Sequence, residues 1–125
     1  MLTPLSHEFH LVRKVVADTL TQRGIQPVLV DQASPAGHVL DGVRVAISRA
    51  NFIIADLTEL NPNVIYEVGF AHALRKRVLL IAQPNRFSVP SDLVGLLVLF
   101  YDRSQPAELH QALSAWVDRS FLAVA

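Results

Sequence analysis

A chain of 125 residues, 51% apolar and 18% charged, has the composition of one globular domain (residues 1–125) with a core of its own. Its 11 basic and 11 acidic residues cancel, so no bulk charge draws it to nucleic acid or to a lipid surface. The absence of cysteine excludes disulfides, thiol catalysis and cysteine-bound zinc. No apolar run nears the ~18 residues of a membrane span, and no basic-then-apolar leader opens the chain, so a soluble cytoplasmic protein is expected.

Helical and strand patterns alternate along the chain. Only Met1-Leu2-Thr3 precede Pro4, so a strand there is very short; either the real start lies upstream or a neighbouring subunit helps cover the gap. Ser6 can cap a helix running to about Arg23, with Phe9, Val12, Val15, Val16 and Leu20 as its apolar stripe and Gly24 as its stop. Ile25 to Val30 reads as a short strand, and Gln32 to Gly37 as a loop. Val39, Val43, Ala46, Ile47 and Ala50 share one face of a second helix. Phe52 to Ala55 is an unbroken apolar run ending at Asp56, the pattern of a strand buried on both faces.

Asn61 is a good N-cap and Pro62 suits the first helical position, so a third helix opens there and ends near Arg75. Cations in Arg75-Lys76-Arg77 suit a helix C-terminus. Val78 to Ala82 is another buried strand, Ser91-Asp92-Leu93 one helical turn, and Leu96 to Tyr101 a further strand. Ser104 and Pro106 open a last helix with Leu109, Leu113, Trp116, Val117 and Phe121 inward. Strands alternating with helices predict a parallel sheet covered on both faces.

Ligands of such sheets bind beyond the carboxyl ends of the strands, where Asp31, Asp56, Gln83 and Asp102 fall. The glycines are isolated, so neither a dinucleotide fingerprint nor a P-loop can be built, and no nucleophile elbow exists. His7 and His10 are spaced for one helix face but lack further ligands, so no metal site is expected. The residue that asks for an account is Glu67, a carboxylate on a helix otherwise almost wholly apolar from Val64 to Leu74, a pattern that predicts a helix buried on all sides. It is predicted to share a face with Asn63, Phe70, Ala71 and Leu74. Ionised at neutral pH, it could attack the anomeric carbon of a ribose or stabilise an oxocarbenium ion there. It could equally pair with Arg75 or with a partner subunit, and Asp56 could be a turn residue accepting the amides of Thr58 or Glu59.

The run from Ala50 to Gln83, with Ala55-Asp56-Leu57-Thr58, Asn61-Pro62-Asn63-Val64 and Tyr66-Glu67-Val68-Gly69-Phe70-Ala71-His72-Ala73-Leu74, resembles the nucleoside 2-deoxyribosyltransferase-like superfamily, which includes bacterial TIR-like nucleotide-binding proteins. Thr3 to Phe9 looks like the loop after that group's first strand, and Val89 to Leu93 like its turn before the last strand. The resemblance implies a flavodoxin-like three-layer α/β/α fold with a five-stranded parallel sheet in the order 2-1-3-4-5. It implies N-glycosidase or deoxyribosyltransferase chemistry on a nucleoside or nucleotide, with two catalytic residues: Glu67 as nucleophile or oxocarbenium stabiliser, and the strand-end acid Asp56 to orient the sugar or manage the proton of the leaving base. Ser6, His7, Thr58, Asn61 and Asn63 fall at the positions expected to contact substrate. Asp41 is the only candidate for the further acid that the transferases carry, and its offset from Asp56 differs from theirs. The glycine-rich signature of the lysine-decarboxylase-like hydrolases is missing. No metal or organic cofactor is required, and a homodimer or higher homo-oligomer is implied. The alternative reading is a non-catalytic TIR-like module that senses a nucleotide in the same pocket.

Overall fold

The computed structural model describes residues 1–3, 7–28, 39–84 and 98–122. A 3-10 turn at His7–Phe9 leads into α1 (His10–Gln22), and α2 covers Val39–Arg49. Strand β1 (Phe52–Asp56) is followed by a 3-10 turn at Thr58–Leu60 and by α3 (Pro62–Ala73). Strands β2 (Arg77–Ala82) and β3 (Val98–Phe100), helix α4 (Pro106–Val117) and a π-helical turn at Asp118–Leu122 complete the described chain. No helix among the described residues is long and apolar enough to cross a membrane.

The three strands form a parallel sheet in the order β1-β2-β3, with Phe52 opposite Arg77 and Leu80 opposite Val98. Leu2 extends the sheet on the far side of β1 by a single parallel bridge to Ala55. Its N–H donates to Ile54 O (2.8 Å) and its carbonyl accepts from Asp56 N–H (2.9 Å). The short strand expected ahead of Pro4 is thus one paired residue. Ile25 to Val28 has no regular secondary structure, and Leu29 and Val30 lie outside the described residues.

Strand pleating divides the core in two. Ile53 and Ala55 of β1 face a cluster with Val43 and Ile47 of α2 and Val64, Val68 and Ala71 of α3. Ile54 faces the other cluster, with Val12, Val16 and Leu20 of α1 and Leu109, Leu113 and Val117 of α4. Helices therefore cover both faces, the coarse α/β arrangement that the alternation predicts. Inside the second cluster the buried Thr19 hydroxyl meets His110 Nδ1 at 2.8 Å, tying α1 to α4. Trp116 is only half-buried, its ring tilted against Phe52 with centroids 5.3 Å apart.

Helix ends follow the capping residues. Gly24 has φ +74°, and Ile25 N–H reaches back to Leu20 O (2.9 Å), closing α1 with a left-handed cap. Asn61 Oδ1 accepts from the amides of Asn63 (2.9 Å) and Val64 (3.4 Å), with Pro62 in the first turn. At the other end of α3, Arg75 takes the left-handed position (φ 58°) that usually goes to glycine, while Lys76 N–H bonds Ala71 O (3.0 Å). The basic run serves other helices. Lys76 Nζ donates to Ser48 O and Ala50 O, both at 2.9 Å, at the C-terminus of α2, and Arg77 reaches Ser120 O (3.0 Å) beyond α4.

Two local expectations are corrected. Helix α3 is not buried all round. It lies in an outer layer, so Val64, Glu67, Val68 and Ala71 are buried while Tyr66 (51%) and Leu74 (42%) are exposed. Helix α4 is not capped by Ser104. Its N-cap is Gln105, without a side-chain cap bond, because the Ser104 hydroxyl and amide both turn back to Asp102 Oδ1 (2.7 and 2.9 Å). Those bonds hold the Asp102 carboxyl below its ordinary range.

Candidate functional site

The carboxyl ends of β1, β2 and β3 carry a closed hydrogen-bond network. Asp56, fully buried at the end of β1, accepts Thr58 N–H on Oδ1 (2.9 Å) and the Tyr101 hydroxyl on Oδ2 (2.5 Å). Gln83, just past β2, donates from Nε2 to the Tyr101 oxygen (3.2 Å), and its amide donates to Thr58 Oγ1 (2.9 Å). Backbone bonds close the frame, from Leu57 N–H to Ile81 O (2.8 Å) and from Tyr101 N–H to Ala82 O (3.0 Å). A buried carboxylate is tolerable because donors surround it. Burial pushes the Tyr101 phenol up first of all, and the charge of Asp56 and its bond add to this. Tyr101 therefore stays a neutral donor across the physiological range.

The backbone after this network is strained. Glu59 (φ 64°) and Leu60 (φ 51°) are consecutive left-handed residues without being glycine, at roughly 1–3 kcal/mol each. They turn the chain sharply from Thr58 to the Asn61 cap, so α3 starts at the sheet edge that Asp56 and Thr58 occupy. The Thr58 bonds to Asp56 and Gln83 fix the near end of this turn and Asn61 fixes the far end.

Glu67 lies between Val64 and Val68 on the buried face of α3 and is 4% exposed. A second contact set marks its surroundings. Arg44 of α2 donates to the Tyr66 hydroxyl (2.8 Å), and its guanidinium stands 5.9 Å from the Phe70 ring centre. Tyr66 and Phe70 flank Glu67 by one residue and one turn, so Arg44 packs on the α2–α3 seam beside it. Glu67 also acts on the Met1 amino group. Burial pushes that amine down to about 6, against the pull of the Glu67 charge.

The residues singled out from sequence are thus brought together in part. Asp56 and Thr58 share one network, while Asn61 spends its side chain on the helix cap. Asn63 is exposed, not on a common buried face with Glu67. Asp56 belongs to the α1/α4 side of the sheet through Tyr101, whereas the neighbours of Glu67 belong to the α2/α3 side. Ser6 and Asp31 lie outside the described residues, as do the side chains of His7 and Asp41.

Two residues escaped the sequence reading. Tyr101 closes the Asp56 network, and its position at the end of an apolar strand beside Asp102 was the available signal. Thr3 follows the Leu2 bridge and is 4% exposed, with its hydroxyl lacking a hydrogen-bond partner among the described residues. A buried, unsatisfied hydroxyl at the ligand edge of a sheet is a candidate contact for a polar ligand. Among the described residues no group of three or more histidine, aspartate or glutamate side chains could hold a metal ion. Compared with known proteins, the chain matches no family model and no curated sequence.

Proposed function

We propose that the protein binds a nucleoside or nucleotide at the carboxyl edge of the sheet and cleaves or transfers its N-glycosidic bond through Glu67. The observation that carries this reading is a carboxylate 4% exposed on α3, the helix that a strained turn starts at that edge. Burial in an apolar seam is how a carboxylate is kept ready for an electron-poor carbon rather than for water. Glu67 would attack the anomeric carbon or stabilise its oxocarbenium ion. Asp56 and Thr58 would hold the floor of the pocket, and Thr3, Ser6, His7, Asn61 and Asn63 would meet sugar hydroxyls or a 5′ group. The resemblance carried by Ala50 to Gln83 points the same way.

The fold that goes with this reading is flavodoxin-like, with five parallel strands in the order 2-1-3-4-5. Leu2 would stand in the central first strand, and the segment from Ile25 would be the outer second one. The Met1 amino group donates to Val28 O (2.6 Å), which supports that neighbourhood. A homo-oligomer fits the uncharged outer face of α3, where Pro62, Tyr66, Gly69 and Ala73 are exposed.

One observation favours the second reading, a sensor that binds without cleaving. Both oxygens of Asp56 are held by Thr58 and Tyr101, an arrangement suited to rigid support and not to carrying a proton between substrate atoms. The test of the shared claim is binding. Amide chemical shifts are followed while deoxynucleosides, deoxynucleoside monophosphates or NAD are added. Shifts clustered at Thr3, Thr58, Asn61, Asn63 and Val64 are expected, and an absence of saturable shifts with every ligand would refute both readings.

A further inference from the structure

A carboxylate as buried as Glu67 is costly to keep ionised without a compensating charge. The geometry of α3 shows where that charge stands. At about 3.6 residues per turn, Phe70 lies about 40° and Glu67 about 100° round the axis from Tyr66, in the same direction. Arg44 Nη2 donates to the Tyr66 hydroxyl oxygen at 2.8 Å, and the guanidinium stands 5.9 Å from the Phe70 ring centre. The flank of α3 that carries Phe70 and then Glu67 is therefore the flank turned to α2. Arg44 covers the rim of this seam, and Glu67 lies beneath it on the buried side. The other described charges on neighbouring elements are placed elsewhere. Arg75 lies about 12 Å further along the axis, past the end of α3, and the exposed His72 is about 140° round from Glu67. Lys76 gives its ammonium to Ser48 O and Ala50 O, and Arg49 is at the far end of α2. Glu59 is exposed in the turn ahead of α3. From the sheet, burial pushes the Met1 amine down to about 6, so it is largely neutral at pH 7, and Asp56 bonds Tyr101 on the other side.

We propose that Arg44 is a positioning residue for Glu67: its guanidinium supplies the fixed positive charge that keeps the buried carboxylate ionised and held in the α2–α3 seam. A guanidinium suits the task because it does not lose its proton in the physiological range. Two anchors set its place. The Tyr66 hydroxyl holds one nitrogen and the Phe70 ring attracts the cation, so the charge does not swing out to water. Tyr66 is exposed on a helix whose buried face is otherwise apolar, and this bond gives its hydroxyl a use. The part of Arg44 in catalysis rests on the proposed role of Glu67, whereas the pairing of the two charges does not.

The test compares the unaltered chain with Arg44→Met, Arg44→Lys, Glu67→Gln and the double variant Arg44→Met/Glu67→Gln. Arg44→Met keeps the aliphatic stem and removes the charge, and is expected to lower the melting temperature at pH 7 by about 5 °C or more. In the Glu67→Gln background the same substitution should cost less than about half as much, because no buried charge is left without its partner. Arg44→Lys should restore most of the loss. A spectroscopic signature needs no variant at all. In protein labelled with ¹³C at glutamate and ¹⁵N at arginine, the Arg44 Nε resonance should move with the same midpoint as the Glu67 carboxyl. An equal loss of melting temperature in both backgrounds would overturn the proposal, as would an Arg44 resonance that stays still while Glu67 titrates. Should Arg44→Met not fold, the resonance decides alone. Neither readout depends on nucleotide binding or base release, so this inference and the proposed function fail separately.

Discussion

Tyr101→Phe removes one oxygen from the buried end of the sheet and leaves the ring in place. That oxygen donates to Asp56 Oδ2 at 2.5 Å and accepts from Gln83 Nε2 at 3.2 Å. A hydrogen bond to a charged group contributes about 1.5–3 kcal/mol, and the neutral bond to Gln83 about 1 kcal/mol, part of which water returns to the half-buried amide. A loss of about 2–3 kcal/mol follows. For a chain of this length that is roughly 6–12 °C in melting temperature. Urea titration at pH 7 reads the change directly, and a double-mutant cycle with Asp56→Asn should show a coupling of at least about 1 kcal/mol. The alkaline limb is a second signature. The folded pKa of Tyr101 lies above the unfolded value of about 10, so above that pH the unfolded chain loses protons that the folded one keeps. Stability should therefore fall as pH rises beyond about 10, and Tyr101→Phe should flatten that fall. A destabilisation below about 0.5 kcal/mol, with an unchanged alkaline limb, would show that the network does not support the strand ends.

Other outcomes follow from the same geometry. Arg75→Gly relieves a left-handed backbone at the end of α3 and should raise stability by about 0.5–1 kcal/mol, read by thermal unfolding. Lys76→Met keeps the aliphatic stem but removes two bonds to the last carbonyls of α2, and should cost about 1 kcal/mol. The loss should show as faster amide exchange in residues 46–50. Thr19→Val breaks the contact with His110 in the α1–α4 seam, and a cost of about 1 kcal/mol by urea titration is expected.

Much of the fold could be read from sequence because the informative residues act locally. Asn61 and Pro62 place the start of α3 through groups within three residues, and Gly24 ends α1 through its own backbone freedom. The unbroken apolar runs of β1 and β2 reflect helices on both faces, a property of composition. What escaped depends on distant partners. The apolar content of α3 suggested burial on all sides, but only tertiary packing decides that Tyr66 and Leu74 face outward. The role of Tyr101 rests on a residue 45 positions away in the chain, and no local pattern carries that. Lys76 looked like a cap for its own helix and instead caps α2, because the left-handed turn at Arg75 redirects it. At the candidate site Glu67 stood out by its chemistry on an apolar helix. Its separation from Asp56 by the plane of the sheet follows from strand parity, which the sequence held and the pairing of Asp56 with Tyr101 made visible.

The proposed function puts Glu67 at the anomeric carbon of a bound nucleoside or nucleotide. Its most direct measurement is chromatographic detection of free base after incubation with deoxynucleosides, deoxynucleoside monophosphates and NAD, for the protein and for Glu67→Gln side by side. Base release from at least one class is expected, falling on the order of 10³-fold or more in the variant while its fold and ligand-induced stabilisation persist. No base release from any class by the unaltered protein, or equal release by Glu67→Gln, would contradict it.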